Sequence, residues 1–292
     1  MQAATATRSV RIAHLSDVHV LARRGPRSGA GLSTRIVSLG RSLDPEPRFQ
    51  KLVASLRAAR AARATHYVVS GDLTETGEGD QFEAFAEAIH HSGVPHDRVV
   101  LVPGNHDAYA RHGAWARALE GPLAPFRALA ADAPGKVIDH DEVVFLPLDV
   151  ACHQKITRSA GELSSEAADA LEHRLRGLSG RGRALVAVLH HHPFEHSSRA
   201  WQWVDGLRGS ARLMAMLDRF HDLQVLHGHL HRVVDRGVGS ARVRILGAPA
   251  TVEDRPGAPS PRLYDVVGES LVCRSVGAQV EASSGGDLET AA

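Results

Sequence analysis

Histidine and aspartate recur in this chain at short, fixed spacings that suit a divalent metal better than any other chemistry. Asp17 and His19 stand two apart in HLSDVH, and His229 and His231 stand two apart in LHGHLH. Gly71-Asp72 and Gly104-Asn105-His106-Asp107 each close an apolar run, and a further run ends in His190, His191 and His192. Pro193 follows at once, ending strand pairing and fixing the direction in which the chain leaves. Nitrogen and oxygen donors without thiolate favour Mn, Fe or Zn over softer ions. The chain carries 19 histidines among 292 residues, so the signal lies in the tight groups.

Singly, none of these groups decides anything. A two-residue step along an extended chain points both side chains to one side, but such a pair is more often a solvated turn. An Asp after a strand more often caps a turn, and a lone histidine near an apolar strand is usually satisfied by a hydrogen bond. That ordinary reading holds for His14, His66, His140, His153, His173 and His221, and His227, which precedes Gly228, is read as packing or as support for its neighbours. The five groups together are another matter. Each follows a predicted strand, and ligands bind at the carboxyl edge of strands in open α/β sheets.

The elements that must position these groups alternate in type, as a layered α/β architecture requires. Strands are expected near residues 10–15, 67–70, 99–102, 143–148, 184–189, 224–226, 242–246, 263–267 and 271–274. The last three follow one another without a helix, which predicts an antiparallel end to the fold. Apolar residues at three- and four-residue steps predict helices over 49–63, 81–91, 114–130, 166–176 and 211–220. Residues 276–292, with Ser283, Ser284, Gly285 and Gly286, read as a flexible tail.

Composition removes several classes of function. The 34 Lys and Arg against 33 Asp and Glu leave a net charge of +1, which gives no electrostatic case for general nucleic-acid binding. With 43% apolar and 23% charged residues, the chain is neither disordered nor fibrous. Cys152 and Cys273 lie far apart, which argues against a disulfide framework or a cysteine zinc site. The first residues lack the pattern of a signal peptide, and no window has the length and apolarity of a membrane span, so the expected location is cytoplasmic.

The order D-x-H, G-D, G-N-H-D, H-x-P, G-H-x-H over roughly Arg8 to Arg274 resembles the calcineurin-like metallophosphoesterase superfamily. That superfamily includes purple acid phosphatases, class III cyclic-nucleotide phosphodiesterases and glycerophosphodiesterases. The resemblance implies an α/β fold over 8–275, a four-layer α/β/β/α sandwich with a dinuclear metal site at the C-terminal ends of the strands. It implies that Asp17, His19 and His231 hold one divalent ion and that Asn105, His191 and His229 hold the other, with Asp72 bridging. The family's ligand two places before proline selects His191 over its neighbours, and leaves His192 facing the substrate or supporting a ligand. His106 stays off the metals and stands with Asn105 at the phosphoryl group, with Asp107 or Glu75 orienting it. His106 and Asp72 are thus the expected catalytic residues. Two divalent ions about 3.5–4 Å apart hold a bridging hydroxide and clamp phosphoryl oxygens. With two carboxylates and one hydroxide the formal charge is about +1, which attracts an anionic phosphodiester.

Two segments bear on the substrate. Residues 21–43, within an insert over 21–45, contain Arg23, Arg24, Arg27, Arg35 and Arg41 and no acid. Leu32, Ile36, Leu39 and Leu43 recur there at helical spacing, which is equally consistent with a cap or lipid contact and with a plain surface loop. After His192, Trp201 and Trp203 with Arg199 and Arg208 are candidates to stack a base or line an acyl groove. The expectation is a hydrolase of phosphodiesters, cyclic nucleotides or glycerophosphodiesters among them. The alternatives are a lipid-linked nucleotide pyrophosphatase and a non-catalytic scaffold of the same fold, the latter disfavoured because no ligand is missing. A protein Ser/Thr phosphatase is disfavoured because GDLTETG and GNHDAY replace its signature strings.

Overall fold

The computed structural model describes residues 10–23, 41–140, 142–239, 243–253 and 260–274. Most of the basic insert, including Arg24, Arg27 and Arg35, and the expected tail over 276–292 lie outside the described residues. No helix among the described residues is long and apolar enough to cross a membrane.

Three strands that read as nearly continuous apolar runs start the first sheet: β1 (Arg11–Leu15), β2 (His66–Ser70) and β3 (Val99–Val102). They pair in parallel, with Ile12 opposite His66 and Tyr67 opposite Val99. The second sheet takes β4 (Ile138–His140), β5 (Val143–Pro147), β7 (Ala184–Val188), β9 (Leu223–His227), β10 (Val234–Val238) and β11 (Val243–Gly247), in the order β10-β11-β9-β7-β5-β4. Its inner four strands are parallel and its two edges antiparallel. A short parallel pair, β6 (Gly161–Glu162) and β8 (Leu207–Arg208), stands apart from both.

The expected antiparallel end is only partly found. The hairpin β12 (Arg262–Val267) and β13 (Ser270–Arg274) is antiparallel, and it joins the first sheet beside β1. β11, expected to belong with them, instead lies parallel to β9 in the second sheet.

Alternation along each strand divides its side chains between two cores, because successive residues point to opposite faces. Ile12, Val68, Val100 and Val102 from the first sheet share one cluster with Phe145, Val186, Leu226 and Leu246 from the second. The odd partners, Ala13, Leu15, Tyr67, Val69 and Leu101, pack on α1 (Pro45–Ala61), α2 (Gly79–Ser92) and α3 (Ala114–Glu120). On the second sheet Val144, Leu185, Ala187 and Val225 pack on α4 (Ser165–Leu178) and α6 (Ser210–Arg219). Helix starts follow local chemistry: Asp44 accepts from Glu46 N ahead of Pro45, and Ser164 accepts from Ala167 N. The helix expected over 114–130 breaks at Gly121-Pro122, leaving α3 and a 3-10 turn over Ala124–Leu129. α5 (Arg199–Asp205) was not expected.

Candidate metal centre

The loops that leave β1 and β2 stay paired beyond the sheet, which brings their carboxylates together. Asp17 N donates to Gly71 O at 3.1 Å, His19 N to Asp72 O at 2.9 Å, and Val20 N to Leu73 O at 3.0 Å. Each aspartate then uses one oxygen to fasten a third loop. Asp17 Oδ2 accepts from His229 N at 3.1 Å, and Asp72 Oδ1 accepts from His106 N at 2.9 Å. Two glycines make room for this: a Cβ at Gly104 would lie 2.1 Å from Asp72 Oδ1, and one at Gly228 would lie 1.8 Å from Ser16 Oγ.

Backbone conformation marks the same residues. Six non-glycine residues among those described have positive φ, and five of them are Asp17 (51°), His19 (44°), Asp72 (50°), His229 (68°) and His231 (51°). Such conformations cost about 1–3 kcal/mol each and persist where the surroundings over-determine them. The D-x-H and H-x-H pairs therefore converge through left-handed turns rather than through the pleat of a strand, as the spacing had suggested.

The remaining carboxylate oxygens face imidazoles. Asp17 Oδ1 lies 3.2 Å from His231 Nε2 and 3.9 Å from His190 Nε2. Asp72 Oδ2 lies 3.3 Å from His190 Nε2 and 3.8 Å from the Nε2 atoms of both His19 and His106. Three sets have mutually close donor atoms: Asp17 with His19 and His231; His19 with Asp72 and His106; Asp17 with Asp72 and His190. The first is one complete expected ligand group.

The histidine string departs from expectation. His190, placed by Leu189 N donating to Leu226 O, sends Nε2 towards both aspartates while its Nδ1 sits 2.8 Å from Ser70 O. His191, the expected ligand, lies against Gly161 and puts Nε2 2.6 Å from Ser159 O. His190 thus takes the place between the aspartates, and the ring of His191 stacks 4.4 Å from that of His229. His192 does not face outward to a substrate. It is 3% exposed and packs among Phe194, His196 and His227.

Asn105 donates from Nδ2 to Tyr109 Oη at 2.8 Å, which turns its Oδ1, buried without a hydrogen-bond partner, the other way. His106 holds Nδ1 2.8 Å from the backbone oxygen of Glu75, so its orienting partner is main chain rather than either carboxylate considered. The Asp107 carboxylate instead accepts from Leu73 N, Thr74 N, Thr74 Oγ1 and Gly104 N, tying two loops together. Glu75 is engaged by Arg48 and by Arg41, the latter at 3.1 Å, and Arg48 also donates to His19 O at 2.7 Å.

Two supporting carboxylates carry no sequence motif. Glu253 Oε1 lies 2.6 Å from His231 Nδ1, and Asp205 Oδ1 lies 3.1 Å from His229 Nε2. A carboxylate on one ring nitrogen fixes the tautomer and leaves the other nitrogen for a metal. Each histidine of G-H-x-H therefore has its own orienting acid, 22 and 24 residues away.

The electrostatics favour cations at this point. Burial disfavours the charged form of His190, yet Asp72 and Asp17 outweigh it and raise its pKa to about 9. His231 is likewise raised against burial to about 10, by Asp17 and Glu253. Burial and its histidine neighbours hold His191 well below the ordinary value. The His190–Asp72 and His231–Asp17 approaches are close but lack hydrogen-bond geometry at His190 Nε2 and Asp17 Oδ1. Their atoms converge on shared points rather than on one another. An all-nitrogen and oxygen donor set with a bare amide oxygen and concentrated negative charge fits two divalent ions of the Mn, Fe or Zn type.

Comparison with known proteins agrees with this geometry. The family model for calcineurin-like phosphoesterase matches residues 10–233. A dimetal phosphatase from Danio rerio superposes with a TM-score of 0.61 at 13% identity, covering 90% of this chain and 98% of that one. The protein TT1561 of Thermus thermophilus gives 0.54 at 13% identity, covering 91% and 98%. The purple acid phosphatase PPD1 of yellow lupin, Lupinus luteus, gives 0.54 at 12% identity, covering 91% and 51%. No curated protein matches the sequence. A carboxylate pair ringed by histidines at the ends of parallel strands, in a fold shared with dimetal enzymes, identifies the chain as a member of the calcineurin-like phosphoesterase family and a metal-dependent phosphoric ester hydrolase.

Proposed function

We propose that the protein hydrolyses phosphodiesters with two divalent ions, held by Asp17, His19, His231, Asp72, Asn105, His190 and His229. The observation that carries the choice of diester is the fate of the two arginines that reach the site. Arg48 and Arg41 both bind Glu75, on opposite oxygens. A dianionic monoester calls for fixed cations beyond the metals, as in arginine-clamped phosphoryl sites. The walls here are imidazoles, which suits the single charge of a diester.

When bound, the ions supply a hydroxide nucleophile and neutralise phosphoryl oxygens. The chain does the rest. Asp17 and Asp72 hold the negative charge that retains the ions, and Glu253 and Asp205 keep His231 and His229 in the metal-binding tautomer. With Nδ1 at Glu75 O, His106 presents Nε2 to the site. There it hydrogen-bonds the developing charge and gives its proton to the leaving oxygen.

The test is hydrolysis by protein loaded with Mn, Fe, Zn or Co. The substrates are bis(p-nitrophenyl) phosphate, a phosphomonoester, cyclic nucleotides, glycerophosphodiesters and a nucleotide-lipid, the last with and without liposomes. Diester turnover above monoester turnover is expected, and the reverse preference would overturn the reading. His106→Ala should keep both metals, by elemental analysis, and lose about 10²–10⁴-fold in kcat.

A further inference from the structure

Beside the metal ligands lies a cleft of about 580 Å³ whose lining includes Ala108, His112, Trp115, Asp132, Asp149 and His153. This is within the usual range for sites that take small organic molecules. It adjoins the centre: Ala108 follows His106 by two residues, a reach of at most about 7 Å along the chain. His153 Nδ1 fastens the far wall to it at 2.9 Å from Ala108 O.

The two carboxylates that line the cleft differ in what they already hold. Asp132 is engaged by Lys136 at 3.0 Å and by Arg127 at 3.7 Å. Asp149 sits just past the end of β5, at the same strand edge as the metal ligands, and its side chain accepts from Ala151 N at 3.0 Å. Among the described residues no cation pairs with it, and it remains exposed to the cleft. The crowded walls push its pKa up to about 6, so it is ionised at neutral pH and in want of a donor. The His112 and His153 rings, 6.3 Å apart, and Trp115 supply flat faces around it.

We propose that this cleft seats the leaving alcohol of the substrate and that Asp149 accepts a hydrogen bond from a hydroxyl or ammonium group on it. The specificity is thus for diesters of a polyol or amino alcohol, and this rests on the phosphodiesterase reading above. On cleavage the P–O bond to that alcohol breaks as the hydroxide oxygen bonds to phosphorus. The leaving oxygen takes the proton of His106, and the freed alcohol remains against Asp149 until it departs.

Two measurements test it. In the first, Asp149→Asn and Asp149→Ala are compared with the parent on glycerophosphoethanolamine, a bis-glycerol phosphodiester and bis(p-nitrophenyl) phosphate. Loss of a charged acceptor should raise KM about 10- to 100-fold on the donor-bearing diester, with kcat and the nitrophenyl reaction unchanged. Whichever diester responds tells ammonium from hydroxyl. Equal effects on all substrates, or none, would overturn the proposal.

The second measurement needs no turnover. Saturation-transfer NMR should show ethanolamine or glycerol bound by the parent, metal-loaded or metal-free, and released by Asp149→Ala. Binding that survives the substitution, or is absent from the parent, would also overturn it. If the protein cleaves no diester at all, the phosphodiesterase reading fails on the first assay while this one still decides whether the cleft takes an alcohol.

Discussion

His190 Nε2 stands 3.3 Å from Asp72 Oδ2 and 3.9 Å from Asp17 Oδ1, whereas the next residue, His191, turns its Nε2 onto Ser159 O at 2.6 Å. Neighbouring residues of one string therefore do different jobs. His190→Ala should leave fewer than two metals per chain after gel filtration, and His191→Ala should retain more metal than it does. Elemental analysis of both variants reads this directly, and the opposite order would return the ligand role to His191.

The carboxylates behind the two histidines of G-H-x-H make a second prediction. Glu253→Gln and Asp205→Asn keep size while removing the charge that sets the tautomers of His231 and His229. Such partners are worth about 10–100-fold in metal affinity. Competition with a metallochromic chelator should show that loss in each variant. Unchanged affinity would mean that packing alone orients the rings.

Much of this centre was legible, and the rest was hidden for physical reasons. Asp17, His19, Asp72, Asn105, His229 and His231 were readable because their loops lie within a few residues of strand ends marked by apolar runs. The choice between His190 and His191 was not readable, because counting back from Pro193 ignores where the strand stops. β7 ends at Val188, and Leu189 continues the pairing by donating to Leu226 O. Asp205 and Glu253 reach the site only through tertiary structure and carry no local pattern. In the fold, β4 and β10 escaped notice because Ile-Asp-His and Val-Asp-Arg-Gly-Val are edge strands. One exposed side removes the apolar run that betrays an inner strand.

The protonation of the centre sets the pH dependence of metal uptake. Burial alone would lower both imidazoles, but the carboxylates hold His190 up to about 9 and His231 up to about 10, above the ordinary 6.5. A raised folded pKa means that the stability these cations lend the metal-free protein is fully present below pH 6.5. It is lost as pH rises through 9 to 10. Metals must displace the same protons, so affinity should climb from pH 6.5 to 9, with up to two protons released per chain near neutrality. Calorimetry in buffers of different ionisation enthalpy counts them. No proton release would show that the imidazoles are already neutral.

Gly104 provides a test that touches no ligand. Its own side of the turn has no room: a Cβ there would lie 2.1 Å from Asp72 Oδ1 and 2.4 Å from Asp72 N. Backbone and carboxylate cannot both move aside, because Asp72 Oδ1 is held by His106 N and Asp72 O receives His19 N. Gly104→Ala should therefore destabilise the protein by about 1–3 kcal/mol and lower metal content as Asp72 shifts. Gly177→Ala is the control, since a Cβ at Gly177, inside α4, meets nothing within 4 Å. There alanine's better helix propensity should stabilise by about 0.5–1 kcal/mol. Thermal melts and metal content, measured on both variants, separate the two effects. If Gly104→Ala melted with the parent and kept its metals, the β3 loop would be pliant, and the close approach of Gly104 to Asp72 would not be what holds the bridging carboxylate in place.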